Sequence, residues 1–372
     1  MAPAARAQAA PSQKPVPTLT VLAHPQASRV GDTAVLPTAG PIAVSRKEPG
    51  FNSVVGMRRP LTTPLLSRSP VTLLRHRTGM QIDVRGTSTP VRVDGASVAN
   101  TLAVETADID RGVVLEFGDH IVLLLHRRQA RAAPMVTDDD FGPIGDSDGI
   151  RNIRQRIEAH ASGDDSVLIR GETGSGKALV AAALHRASPR ARRPYIVANM
   201  AAIPLALAAS ELFGHARGAF SGARDAHDGF FERADSGTLF LDAVGDTPDD
   251  VQAALLRVLE TGEIQAIGAN RVRRADVRVV AATDLDVEGA IASGRFRGPV
   301  YYRLAQAEIR IPPLRDRRDD VARLLIHFMR IALDKHGFAD RLEPPPTERE
   351  VWLPAALVAT LVRYAGRDPR SL

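Results

Sequence analysis

The sequence predicts an α/β domain built on a phosphate-binding loop, preceded by an all-β sandwich domain and followed by a helical segment. Three observations carry this prediction. Residues 171–177 read Gly-Glu-Thr-Gly-Ser-Gly-Lys between an apolar run and a helical pattern. From residue 141 onward, buried-looking strands alternate with helical periodicity, as in a mostly parallel sheet. Before that point, short apolar runs are separated by Gly, Pro, Ser and Asp, the spacing of a sandwich or barrel.

Composition sets the bounds. The chain has 372 residues, enough for two domains. Apolar residues make up 44% and aromatic residues 4%, so aliphatic side chains carry the packing. Cysteine is absent, which excludes disulfides, thiolate metal sites and cysteine nucleophiles and fits a reducing compartment. The net charge of +5 is a weak argument for nucleic-acid contact. Lys14, Lys47, Lys177 and Lys335 are the only lysines, and such Arg- and Ala-rich usage is what a GC-rich coding sequence produces. No window approaches the roughly 18 apolar residues of a membrane span. The N-terminal stretch MAPAARAQAAPSQKP lacks the apolar core of a signal peptide, so the chain reads as cytoplasmic with no membrane partner.

Taken in order, residues 1–17 are rich in Ala, Pro and Gln and are expected to be a disordered tail. Across 18–128 the runs TLTVLA, IAVS, VTLL, QIDV and VRV predict strands, and VVLEFGDHIVLLLH predicts a closing pair around Gly118 and Asp119. Residues 129–140 read as a linker. The α/β core spans 141–318, with strands at SVLIR, YIVAN, TLFLD and VRVVAAT. Residues 319–372 read as helical, and VARLLIHFMRIALDKHG is the clearest amphipathic helix.

The loop residues have a direct chemical reading. Val167, Leu168 and Ile169 form the strand before the loop, and KALVAAALHRA forms the helix after it. Glycines let backbone amides turn toward phosphates, and the helix N-terminus adds unpaired N–H donors. Gly171, Glu172, Thr173, Gly174, Ser175, Gly176, Lys177, Ala178 and Leu179 are the candidate ATP-binding residues, with Lys177 reaching the terminal phosphates. Ala178 stands where the motif has Ser or Thr, so the usual hydroxyl ligand to magnesium is missing. Asp242 ends the strand TLFLD about 65 residues later and is the candidate magnesium ligand, acting through water.

From these residues onward the sequence resembles the AAA+ domain of sigma-54-dependent transcriptional activators, the bacterial enhancer-binding proteins. The resemblance covers 141–372 and rests on motifs in a fixed order: GETGSGK, ELFGHARGAFSGA, SGTLFLDAVGD, QAALLRVLETGEI, VRVVAATD, RFRGPVYYRL and IPPLRDRRDD. It implies a ring of identical subunits that remodels sigma-54 RNA polymerase holoenzyme using ATP. It also implies a sigma-54 contact at Gly218, Ala219, Phe220, Ser221, Gly222 and Ala223, where Ser221 replaces the family's Thr. Asn199 matches the residue that holds the catalytic glutamate, and Thr283 and Asp284 match the sensor I pair, with Asp284 where Asn is usual. Arg297 and Arg303 match the two arginines that reach the neighbouring subunit's nucleotide. Arg370 aligns with the sensor II arginine, in a helical lid that is incomplete at Leu372. The family's helix-turn-helix DNA-binding domain is not legible in this chain.

One departure bears on chemistry. The family has a glutamate after the Walker B aspartate, and here that position is Ala243. A methyl group accepts no proton, and losing a positioned base costs about 100-fold to 10,000-fold in rate. The sequence therefore predicts ATP binding with slow or absent hydrolysis.

The β-rich region resembles a degenerate forkhead-associated domain. Arg46 after IAVS, Ser67 and Arg68 in LLSRSP, VDG at 93–95 and LEFGDHIVLLL carry that resemblance, although the family's histidine is absent. It implies a phosphothreonine protein as partner, held by Arg46, Ser67 and Arg68. Three functions compete on this sequence: an ATP-driven remodeller, a hydrolysis-deficient ATP-binding regulatory module, and a phosphopeptide-binding adaptor.

Overall fold

The computed structural model describes residues 14–53, 56–129, 142–338, 342 and 353–365. The chain divides into two compact units. Most of the expected disordered tail and linker, and Arg370, lie outside the described residues.

Unit 1 takes in the N-terminal region, residues 144–148 and residues 314–372. Its strands are β1 (Pro15–Ala23), β2 (Thr33–Val35), β3 (Ile42–Val44), β4 (Phe51–Asn52), β5 (Arg58–Arg59), β6 (Val71–His76), β7 (Gly79–Asp83), β8 (Val91–Val93), β9 (Ala96–Ser97), β10 (Thr101–Glu105), β11 (Val113–Phe117) and β12 (Ile121–Gln129). They form an eight-stranded sheet in the order β5-β4-β2-β1-β12-β11-β8-β9 and a four-stranded sheet in the order β10-β7-β6-β3. Alternate residues of both sheets, among them Leu19, Leu73, Ile82 and Leu115, meet in one apolar core. The expected runs all become strands.

Two features of this region differ from the expectation. The strand begins at Pro15, inside the expected tail, because Pro15, Val16 and Pro17 pair with Gln129, Arg128 and Arg127. Prolines are tolerated there because they stand at the first residues of the strand. A short helix, α1 (Thr106–Arg111), interrupts the expected all-β stretch. Glu105 and Asp108 cap it reciprocally, and Gly112 at φ 87° ends it.

Unit 2 holds residues 139–143 and 149–313. It runs through α2 (Asp148–Ala161), β13 (Val167–Arg170), α3 (Lys177–Arg186), β14 (Tyr195–Asn199), α4 (Ala208–Phe213), α5 (Phe230–Arg233), β15 (Thr238–Asp242), α6 (Asp249–Thr261), β16 (Glu263–Gln265), β17 (Val272–Arg274), β18 (Arg278–Thr283), α7 (Val287–Ala292), α8 (Gly298–Leu304) and β19 (Ala307–Arg310). Its five-stranded sheet has the order β14-β15-β18-β13-β19 and is parallel throughout. Successive residues serve opposite faces. Val167 and Ile169 pack with Ile153, Val180 and Leu184, whereas Leu168 packs with Leu212, Leu255 and Val300 on the other side. Burial on both faces explains why these strands read as continuous apolar runs.

Two C-terminal helices complete unit 1: α9 (Val321–Lys335) and α10 (Ala355–Ala365). Val321, Ala322, Val358, Ala359 and Val362 cover Leu22, Val114, Val122 and Leu124 on the face of the large sheet away from its main core. Described residues of the expected lid segment, 319–372, thus pack on the N-terminal sheet. Arg318 donates to the carbonyls of Gly112 at 2.6 Å and Arg111 at 2.9 Å, and Arg363 donates to Glu116 at 2.5 Å.

Candidate functional site

The site lies in unit 2, at the carboxyl ends of the parallel strands, where loops open away from the sheet. The loop 171–176 leaves β13 and feeds α3. Gly174 at φ 77° and Gly176 at φ 100° take the left-handed region that lets successive amides converge. A Cβ at Gly174 would meet nothing within 4 Å, so the cradle is open on that side. The Lys177 ammonium donates to the carbonyls of Gly171 at 2.9 Å and Glu172 at 3.2 Å, folding back along the loop. Ala178 and Leu179 follow on the first turn of α3, and Leu179 is half-exposed.

Sheet order brings the other candidates to this end. Asp242 closes β15, and its carboxylate accepts from the amide of Ala243 at 3.0 Å. Asn199 stands beside it in register on β14, and its side chain accepts from the amide of Ala201 at 3.1 Å. Thr283 ends β18, is buried, and its carbonyl accepts from the amide of Gly171 at 3.2 Å. Next to it, Asp284 accepts a 2.5 Å hydrogen bond from the Thr173 hydroxyl. That bond and the Lys177 charge hold its carboxyl below the usual carboxylate range. Ala243 has φ 53° and ψ 43°, an uncommon left-handed conformation for a residue with a Cβ.

The remaining candidates of unit 2 sit elsewhere. The segment 218–223 is a tight turn: the amide of Gly218 donates to the carbonyl of Ala223 at 2.8 Å, and Gly218 and Gly222 have φ 80° and 107°. Phe220 is 41% exposed and leans on His215, ring centres 4.9 Å apart. Ser221 is exposed, Ala219 is partly covered, and Ala223 is buried beneath the turn. Arg297 grips Asp249 with two 2.7 Å bonds, and Arg303 reaches Glu260 at 3.2 Å. Both arginines hold α8 against carboxylates of α6.

Sequence reasoning missed Gln252. This fully buried residue of α6 donates to the carbonyls of Thr247 and Arg295 and accepts from the Arg297 amide at 2.8 Å, fixing the backbone that carries Arg297. A glutamine on the apolar face of a helix was the available signal.

In unit 1, Ser67 belongs to a hydroxyl cluster. Its amide donates to Thr89 at 2.8 Å and its hydroxyl accepts from Ser88 at 3.2 Å. Arg68 is exposed, and Arg46 contributes its carbonyl to the Thr62 amide at 2.9 Å.

Comparison with known proteins bears on unit 2. The sigma-54 interaction domain matches residues 143–310. The DNA-binding transcriptional regulator NtrC of Klebsiella pneumoniae is 44% identical over 241 residues, 65% of this chain and 51% of that protein. The anaerobic nitric oxide reductase transcription regulator NorR of Escherichia coli strain SE11 is 49% identical over 197 residues, 53% of this chain and 39% of that one. The chain therefore spans about half the length, or less, of these relatives. The crystal structure of NtrX from Brucella abortus in complex with ADP has a TM-score of 0.50 and 30% identity, covering 60% of this chain and 50% of that one. The matched region has the P-loop AAA+ fold and is homologous to sigma-54-dependent activators. Among the described residues no helix is long and apolar enough to cross a membrane.

Proposed function

We propose, taking residues 143–310 as a sigma-54 interaction domain, that this protein is an ATP-binding transcriptional regulator that engages sigma-54 RNA polymerase holoenzyme and hydrolyses ATP slowly or not at all. The observation that carries the reading is the alanine at 243, next to Asp242, in a chain whose phosphate loop keeps its glycines and Lys177. Asp246, the nearest downstream acid, is in a 3-10 turn, with its amide bonded to the Ala243 carbonyl at 3.0 Å.

The residues present fit the nucleotide. Gly174 and Gly176 leave a cradle for phosphates, and Lys177 stands at its rim. Asp242 fits magnesium through water, and Ala178 adds no hydroxyl. Magnesium would offset phosphate charge there. Phe220 supplies an exposed aromatic anchor toward sigma-54. Arg297 and Arg303, both on the surface, would serve a neighbouring copy in a homo-oligomeric ring. The setting is cytoplasmic.

Fluorescence anisotropy of labelled sigma-54 tests this reading. The protein with ATP and magnesium binds, and Phe220→Ala weakens binding by about 10-fold or more. Equal binding by the two forms would contradict the assigned contact.

For unit 1 we read the two sheets around one core as a sandwich of the forkhead-associated kind, with Arg46, Ser67 and Arg68 toward a phosphothreonine peptide. The exposed Arg68 and the hydroxyl cluster at Ser67 favour it. A peptide titration with and without the phosphate, repeated on Arg46→Ala, decides it: equal affinity for both peptides ends the assignment.

A further inference from the structure

Position 284 places a carboxylate where it meets the phosphate loop. β18 lies between β15 and β13, so Asp284 emerges between Asp242 and the loop 171–177. The backbone staple from Gly171 to Thr283 and the bond from Thr173 to Asp284 tie it to the loop. Lys177 acts on it electrostatically. In a loop of this kind the lysine reaches the β- and γ-phosphates, so a carboxylate within its field shares the region of the terminal phosphate.

A triphosphate carries about one more negative charge at that end than a diphosphate, and like charges a few ångströms apart repel by more than a kcal/mol near a protein surface. Without a metal ion, Asp284 opposes the third phosphate and leaves the first two less affected. A divalent cation held there would offset that repulsion. Asp242, one strand away, offers a second carboxylate for the purpose.

We infer that Asp284 is a specificity-determining residue for the terminal phosphate: it makes the site favour a nucleoside diphosphate over a triphosphate unless a divalent cation is present. This rests on unit 2 binding nucleotide, as proposed above. A plain structural role, in which Asp284 only steadies the loop through Thr173, would affect both nucleotides alike.

Calorimetric titration of the full chain with ADP and with ATP, each with and without magnesium, separates these cases. Without magnesium, ADP binds about 10-fold more tightly than ATP, and magnesium narrows the gap. Asp284→Asn keeps the shape and removes the charge; it brings the metal-free gap below about 3-fold, chiefly by tightening ATP. Thr173→Val frees the carboxylate without neutralising it and retains the preference for ADP. In the native chain the gap also shrinks as salt rises from 50 to about 500 mM, which tests the charge without any substitution. Equal metal-free affinities in the native protein, or an Asp284→Asn effect of the same size on both nucleotides, would overturn the inference while leaving nucleotide binding intact. Binding of neither nucleotide would overturn both.

Discussion

On the function proposed above, Ala243 is the residue that separates binding from chemistry. Its left-handed backbone places it between the strand that carries Asp242 and the turn that follows, yet its methyl group offers no acceptor for a proton. Gln252 shows the reverse, a residue with no chemistry of its own that fixes one with a candidate role. Gln252→Leu leaves the Arg297 amide and the Thr247 and Arg295 carbonyls without their partner, at a cost of about 1–3 kcal/mol by urea unfolding. Asp249→Ala, by contrast, removes an exposed ion pair and leaves the unfolding midpoint unchanged. At this scale the loop, Asp242 and Phe220 were legible because each belongs to a short contiguous string. The contact between Thr173 and Asp284 was not, because 111 residues separate the partners and only sheet order joins them.

Elements were legible where periodicity was strong. The expected strands of both units formed, since each is an apolar run bounded by turn residues. β19 was overlooked because Ala307–Arg310 alternates with Glu and Arg and is too short to stand out. α1 was overlooked because its capping pair sits inside a β-rich stretch. The partner of the C-terminal helices was not legible at all: an amphipathic pattern states which face is apolar, not what covers it. Leu124 of the large sheet meets those helices and is buried. Leu124→Ala should cost about 2–5 kcal/mol, seen as a lower urea midpoint. A smaller loss would mean that the helices cover that face only loosely.

At the scale of the whole molecule, acid sensitivity is built into unit 1. His24 donates from Nε2 to the Leu61 carbonyl at 2.9 Å while Nδ1 accepts from the Gln26 amide at 3.0 Å, so the bonding suits the neutral ring. Burial pushes its pKa down to about 4, and burial pushes that of His126 down to about 3. Unfolded histidine takes up its proton near 6.5, so stability from these rings is complete above that pH and is lost as pH falls toward 4. Asp320 runs the other way, pushed up to about 6 by burial and by Asp319, so the native chain gains protons there first. A variant comparison isolates one ring. The stability gap between the native chain and His24→Gln should shrink by about 2 kcal/mol from pH 6.5 to pH 5, read from urea midpoints at each pH. A constant gap would mean that His24 takes up its proton at the same pH in the folded and unfolded chain.

The central claim is that the phosphate loop works without its proton acceptor. Steady-state ATP turnover by the purified chain, across a concentration series and beside Ala243→Glu, tests it most directly, with ATP binding measured in parallel. The account predicts that both proteins bind ATP and that the native chain turns over at least about 100-fold more slowly than the variant. Native turnover as fast as that of Ala243→Glu, rising with protein concentration, would contradict it and make the protein a working motor.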